Sequence, residues 1–132
     1  MPHTVDREEA MIRVFLASDD PDFSQSLCEY LVVQPDIQVC GKAAVSIGAA
    51  REASGLLADI AILEMPTVDD LEVVDCFKEL SPNLPLLLVA RHVSFEAEKV
   101  ALSHGADAVF PKEDDLKALL LNARALCDLI AP

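Results

Sequence analysis

Five short apolar runs alternate with longer amphipathic stretches along this chain of 132 residues, and that alternation constrains the fold more than any single motif. The runs are Ile12 to Ala17, Ile37 to Cys40, Asp59 to Leu63, Leu84 to Ala90 and Ala108 to Phe110. Short apolar runs separated by segments of helical length are the pattern of strand-helix units wound around a parallel sheet. Leu84 to Ala90 is almost continuously apolar, as a central strand covered on both faces must be. The expected fold is α/β, a five-stranded parallel sheet in a doubly wound, three-layer sandwich.

Local signals bound the helices. Asp20-Pro21 supplies an N-cap followed by proline at the first helical position. It predicts a helix to about Gln34 with Phe23, Leu27, Tyr30 and Leu31 on one face. The second strand is expected to end at Gly41, and Ser46 to Ser54 reads as a small alanine-rich helix stopped by Gly55. After the third strand, Pro66-Thr67 is expected to turn the chain into an acidic helix start at Asp69-Asp70 that runs through Leu80. Ser94 is placed to cap a fourth helix ending at Gly105. Asp114 and Asp115 open a fifth, in which Leu116, Leu119, Leu120, Ala123, Leu126, Cys127 and Ile130 recur at helical spacing.

Composition removes several classes of function. Ten Lys and Arg against 23 Asp and Glu give a net charge of −13, which repels a phosphate backbone and an anionic lipid surface alike. Direct nucleic-acid or membrane binding is therefore not expected. No apolar run approaches the ~18 residues of a membrane span. Residues 1–10 are polar and acidic, read as an N-terminal extension rather than a secretion signal, and leave one domain over 11–132. A cytoplasmic location is expected. Cys28, Cys40, Cys76 and Cys127 are spaced by 12, 36 and 51 residues, with no paired metal or redox spacing, and read as small buried hydrophobes kept reduced. His3, His92 and His104 are scattered and give no zinc motif.

In an open doubly wound sheet, ligands sit beyond the carboxyl ends of the strands, near the point where strand order reverses. The residues there are Ser18-Asp19-Asp20, Glu64-Met65-Pro66, Ala90-Arg91-His92 and Lys112. Acidic groups from two strands and a lysine from a third should converge. Carboxylates grouped this way suit a hard divalent cation, and the lysine suits an added anion. Lys112 is expected to form an ion pair with Glu64 or Asp19, and His92 is expected to be a surface residue.

Arg13 to Pro21, Asp59 to Glu64 and Phe110-Pro111-Lys112 resemble the three pocket-forming strand ends of a bacterial response-regulator receiver domain. Gln34 to Gly41, Met65 to Glu72, Pro85 and Gly105-Ala106-Asp107 are similar to other parts of that family. The resemblance implies strand order 2-1-3-4-5. It also implies a pocket with an acidic pair after the first strand, a phosphoacceptor Asp ending the third, a Thr or Ser ending the fourth, a Tyr or Phe switch residue on the fifth, and a lysine. Aligned through Pro21, the acidic pair falls on Ser18 and Asp19; sliding by one residue pairs Asp19 with Asp20. The acceptor position falls on Glu64 if the following loop is about two residues shorter than usual, or on Ile62 without a gap. Ala90 stands for the hydroxyl residue and Val109 for the switch residue. Of the main positions only Asp19 and Lys112 match.

What the resemblance implies for function is an atypical receiver in two-component phosphorelay signalling. Such a protein is not an enzyme and acts by protein contact without standard aspartyl phosphorylation. Its relict pocket would comprise Ser18, Asp19, Asp20, Glu64, Ala90 and Lys112. No cofactor is expected beyond a weak magnesium site at Asp19 and Glu64. The expected partner is a histidine kinase, another signalling protein or a second copy, on the face of the fourth helix, fifth strand and fifth helix. Phe95, Ala97, Val100, Ala101 and parts of Leu116 to Leu126 would lie there. One alternative is a working receiver that uses a non-standard carboxylate such as Glu64 or Asp69. Another is a small flavodoxin-like cofactor-binding enzyme, against which no Gly-rich phosphate loop follows the first strand and few rings are present for flavin stacking.

Overall fold

The computed structural model describes residues 11–68, 71–112 and 115–130. The extension expected over 1–10, the helix start at Asp69-Asp70, and Asp114 lie outside them. The elements are β1 (Ile12–Ser18), α1 (Pro21–Val32), β2 (Ile37–Ala43), α2 (Ile47–Leu56), β3 (Ile60–Thr67), α3 (Leu71–Leu80), β4 (Leu86–His92), α4 (Phe95–Ser103), β5 (Ala108–Pro111) and α5 (Leu116–Ile130). All strand pairs are parallel, as the sequence pattern predicts, and the order is β2-β1-β3-β4-β5, as the resemblance implies.

Strand alternation divides the core into two layers. Phe15 and Ala17 of β1 point to the side covered by α2, α3 and α4, where Ala53, Val74, Phe77 and Ala101 are buried. Val14 and Leu16 point to the side covered by α1 and α5, where Leu27, Leu31, Leu119 and Leu120 close the core. Successive strand residues face opposite sides, so the near-continuous apolar runs are what two covered faces require. The predicted caps at Asp20 and Ser94 hold, each accepting backbone N–H bonds at the starts of α1 and α4. Ser46, expected as the first residue of its helix, is instead the cap of α2, and Asp115 Oδ1 accepts from Ala118 N at 2.7 Å.

Several boundaries differ from expectation for reasons of packing. Gly41 does not end β2 but lies inside it, where a Cβ would stand 2.6 Å from Leu56 Cδ1 and 3.0 Å from the Phe15 ring. The β1–β2 register shifts beside it, Val14 pairing with Val39 and Phe15 with Gly41. Gly55 does not stop α2 either. The helix runs to Leu56, and Leu57 takes the left-handed conformation at φ 56°. The Arg13 guanidinium holds that end, donating to Leu56 O at 2.7 Å and Leu57 O at 3.3 Å. Pro66-Thr67 is not a turn. β3 continues alongside β4 until Thr67 pairs with His92. The four cysteines are free and half-buried rather than fully buried. Among the described residues no helix is long and apolar enough to cross a membrane.

Candidate functional site

β1 and β3 run side by side and pair Ser18 with Glu64 at their carboxyl ends. Glu64 is only 2 % exposed, the one buried charged residue among the described residues. A buried carboxylate needs hydrogen bonds and an opposite charge, and both are present. Ser18 Oγ donates to Glu64 Oε1 at 2.7 Å, and Lys112 Nζ lies 3.0 Å from Glu64 Oε2.

Lys112 follows β5, its backbone N–H bonded to Ala90 O at 2.9 Å, which aims the side chain back across the strand ends. Its Nζ also donates to Asp20 Oδ2 at 2.6 Å and sits 5.4 Å from the centre of the Phe23 ring. Burial pulls the Lys112 pKa down, but hydrogen bonds to Asp20 and Glu64 and their charges outweigh this and raise it above 10.5. Asp20 shifts the other way, lowered from 3.8 first by the Lys112 hydrogen bond and then by the Phe23 N–H.

Of the two expected partners of Lys112, Glu64 or Asp19, it is Glu64 that forms the ion pair. Lys112 meets Glu64 and Asp20, whereas Asp19 is exposed and accepts a hydrogen bond from Val45 N at 3.1 Å. The cause is strand alternation carried one step past β1. Asp20 is still extended at φ −105°, ψ 104°, so Ser18 and Asp20 share one side and Asp19 takes the other. Asp20 thereby serves two ends, its Oδ1 capping α1 through Asp22 N at 3.0 Å and Phe23 N at 3.3 Å while Oδ2 holds Lys112.

Between the two candidate acceptor positions, it is Glu64 that reaches the pocket; Ile62 is buried in the α1/α5 core. Ala90 is fully buried between Met65 and Pro111 and offers no hydroxyl. Val109 pairs with Leu88 and packs half-buried against the core. His92 is exposed at the end of β4. The Phe23 ring beside Lys112 was not foreseen as part of the site; its place two residues beyond a proline at the helix start was the available signal.

On the expected partner face, Phe95 is 73 % and Leu121 59 % exposed, and Val100 is also exposed. Ala101 is buried instead, and Ala97 packs half-buried on the core. α4 must bury one stripe on the sheet, and these two alanines lie on it.

No protein-family model matches the chain. It is 29 % identical over 125 residues to protein-glutamate methylesterase/protein-glutamine glutaminase 3 of Rhodopseudomonas palustris, covering 90 % of this chain and 34 % of that protein. It is 27 % identical over 124 residues to the response regulator MprA of Mycolicibacterium vanbaalenii, covering 92 % and 52 %. The chain thus spans about a third and about half of these curated relatives. The signal receiver domain of NarL from Mycobacterium tuberculosis superposes with a TM-score of 0.81 at 22 % identity, over 89 % of this chain and 97 % of that one. The response regulator domain of Thermotoga maritima CheB gives 0.77 at 22 % identity, over 89 % and 97 %. Strand order, two-sided helical cover and these superpositions agree that the chain has the fold of a response-regulator receiver domain.

Proposed function

We propose that this chain is a receiver-type domain of two-component signalling whose pocket is closed by its own side chains, and that it acts by protein contact rather than by standard aspartyl phosphorylation. The observation that carries this reading is Lys112 bonded to both Asp20 and Glu64, with Ser18 donating to Glu64. Phosphoryl transfer to a carboxylate needs an in-line nucleophile, a cation to neutralise charge, and donors for the transferred oxygens. In this pocket Glu64 is buried and already hydrogen-bonded on both oxygens. The lysine ammonium occupies the position between carboxylates where a cation would act, and Ala90 has no donor to offer.

The same donor set does not fit magnesium. That ion takes near-octahedral oxygen ligands and sheds water reluctantly. Two of the carboxylates here hold an ammonium, and Asp19 is turned toward Val45. Among the described residues no group of three or more His, Cys, Asp or Glu is placed to hold a metal ion.

The partner is a histidine kinase, another signalling protein or a second copy. The surface formed by α4, β5 and α5 is the proposed contact, with Phe95, Val100 and Leu121 as its exposed apolar groups. Incubation with acetyl phosphate and magnesium, read by intact mass, tests the reading. The expected result is no stable adduct of about 80 Da, the mass of an added phosphoryl group in this chemistry. A stoichiometric adduct mapping to Glu64, Asp20 or another carboxylate would instead make this a working receiver with a non-standard acceptor.

A further inference from the structure

The opposite end of the sheet carries a second concavity, of about 810 Å³, within the ~300–1,000 Å³ usual for small-ligand sites. Its charged lining groups among the described residues are Asp36, Arg124, Asp59 and Asp128. Arg124 is committed to Asp36, Nε to Oδ2 at 2.9 Å and Nη2 to Oδ1 at 2.7 Å, a two-pronged pairing that cancels both charges locally. Asp59 accepts a hydrogen bond from the uncharged Arg13 N–H at 2.8 Å. The Arg13 guanidinium itself is taken up by Leu56 O, Leu57 O and Gln38 Oε1. Asp128 forms no ion pair among the described residues. Among the described residues, two carboxylates therefore line the cavity without a salt-bridge partner.

The Cys127 thiol also lines the cavity. Burial, with the Asp59 and Asp128 charges added, pushes its pKa up to about 11. A thiol held protonated is a poor nucleophile, so the cavity suits recognition rather than covalent chemistry. Its lining also holds apolar groups, among them Pro82 and Leu57, which is 79 % exposed and held in the left-handed conformation by the Arg13 bonds to the end of α2.

We propose that this cavity binds a small organic ammonium ion, a protonated amine on an apolar body, with the ammonium facing Asp59 and Asp128 and the apolar body against Leu57 and Pro82. A carboxylate or phosphate ligand would meet the same two charges, with no free cation among the described lining residues to receive it. The net charge of −13 further attracts cations to the surface as a whole. The proposal does not depend on the signalling reading above.

Amide-detected NMR titration of the full chain with 2-phenylethylammonium, 2-phenylethanol and phenylacetate separates the contributions of charge and apolar contact. The expected result is saturable shifts centred on Leu57, Asp59 and Cys127 with the ammonium, weaker binding of the alcohol and none of the acid. Asp128→Asn, a change at an exposed position, should weaken ammonium binding by about 1.5–5-fold, as loss of one exposed charge contact does. Adding Asp59→Asn should weaken it further, and the amide spectrum of each variant checks that the fold is kept. Equal binding of all three probes, shifts that never saturate or centre at Glu64, or an Asp128→Asn variant that binds unchanged would overturn the proposal.

Discussion

Lys112 Nζ stands 3.0 Å from Glu64 Oε2, an ammonium and a carboxylate brought from β5 and β3 to one buried contact. Removing the ammonium leaves a carboxylate that is 2 % exposed with the Ser18 hydroxyl as its remaining donor. Lys112→Met should therefore destabilise the protein by about 1–3 kcal/mol, the range for stranding a buried polar or charged group. Combined with Glu64→Gln it should cost less than the two single changes added. Urea denaturation of the four proteins measures the coupling, and strict additivity would show that the pair contributes no interaction energy.

Stability should fall at both extremes of pH. Asp20 and Asp36 are held below their ordinary 3.8 by hydrogen bonds from Lys112 and Arg124 respectively. Their contribution is present above the unfolded value of 3.8 and is lost as pH falls through the lower folded values. Lys112 is raised above 10.5, so its contribution is complete below 10.5 and disappears as pH rises through the folded value. Asp20→Asn keeps an N-cap acceptor but removes the titration. Urea midpoints followed into acid should drop less steeply in that variant than in the parent, and identical slopes would contradict the assignment.

Magnesium should find no strong site. Titration of the unmodified chain is expected to show no saturable change at low millimolar magnesium, because Lys112 already occupies Asp20 and Glu64. Ser18→Asp with Glu64→Asp should restore binding only in part, since the lysine remains and the ion's geometry is exacting. Tight binding by the parent, seen by calorimetry, would require a different arrangement of Asp19.

Leu57→Gly should stabilise the fold by about 0.5–1 kcal/mol. A left-handed L-residue costs roughly 1–2 kcal/mol, offset partly by the greater unfolded-chain entropy of glycine. The side chain at φ 56° is largely solvent-exposed, so little packing is lost. Thermal unfolding checks this; a drop in the midpoint would mean that Leu57 contacts something that holds it.

Self-association through the proposed α4, β5 and α5 face should bury about 800 Å² per partner if it is specific. Light scattering at tens of micromolar, roughly the range where such contacts form, should show a dimer that Phe95→Glu and Leu121→Glu abolish. A monomer throughout would direct the search to a heterologous partner on the same exposed residues.

The sequence by itself determined the alternation of strands and helices, the layering of the core and the N-caps at Asp20 and Ser94. These depend on spacings of two to four residues and on the chemistry of a single cap. Tertiary structure decided which acidic residue met the lysine. Asp19 and Asp20 are equivalent as a charge pattern, and only the continued extension past β1, together with a lysine 92 residues away, turns Asp20 inward. The same holds for the end of α2, where Gly55 was the local stop signal but the Arg13 guanidinium, 43 residues distant from Leu56, carried the helix past it. Gly41, locally a strand ending, is required inside β2 because the Phe15 ring and Leu56 fill the space a Cβ would take. Contacts between residues so far apart follow from strand register and packing, which no local window of sequence encodes.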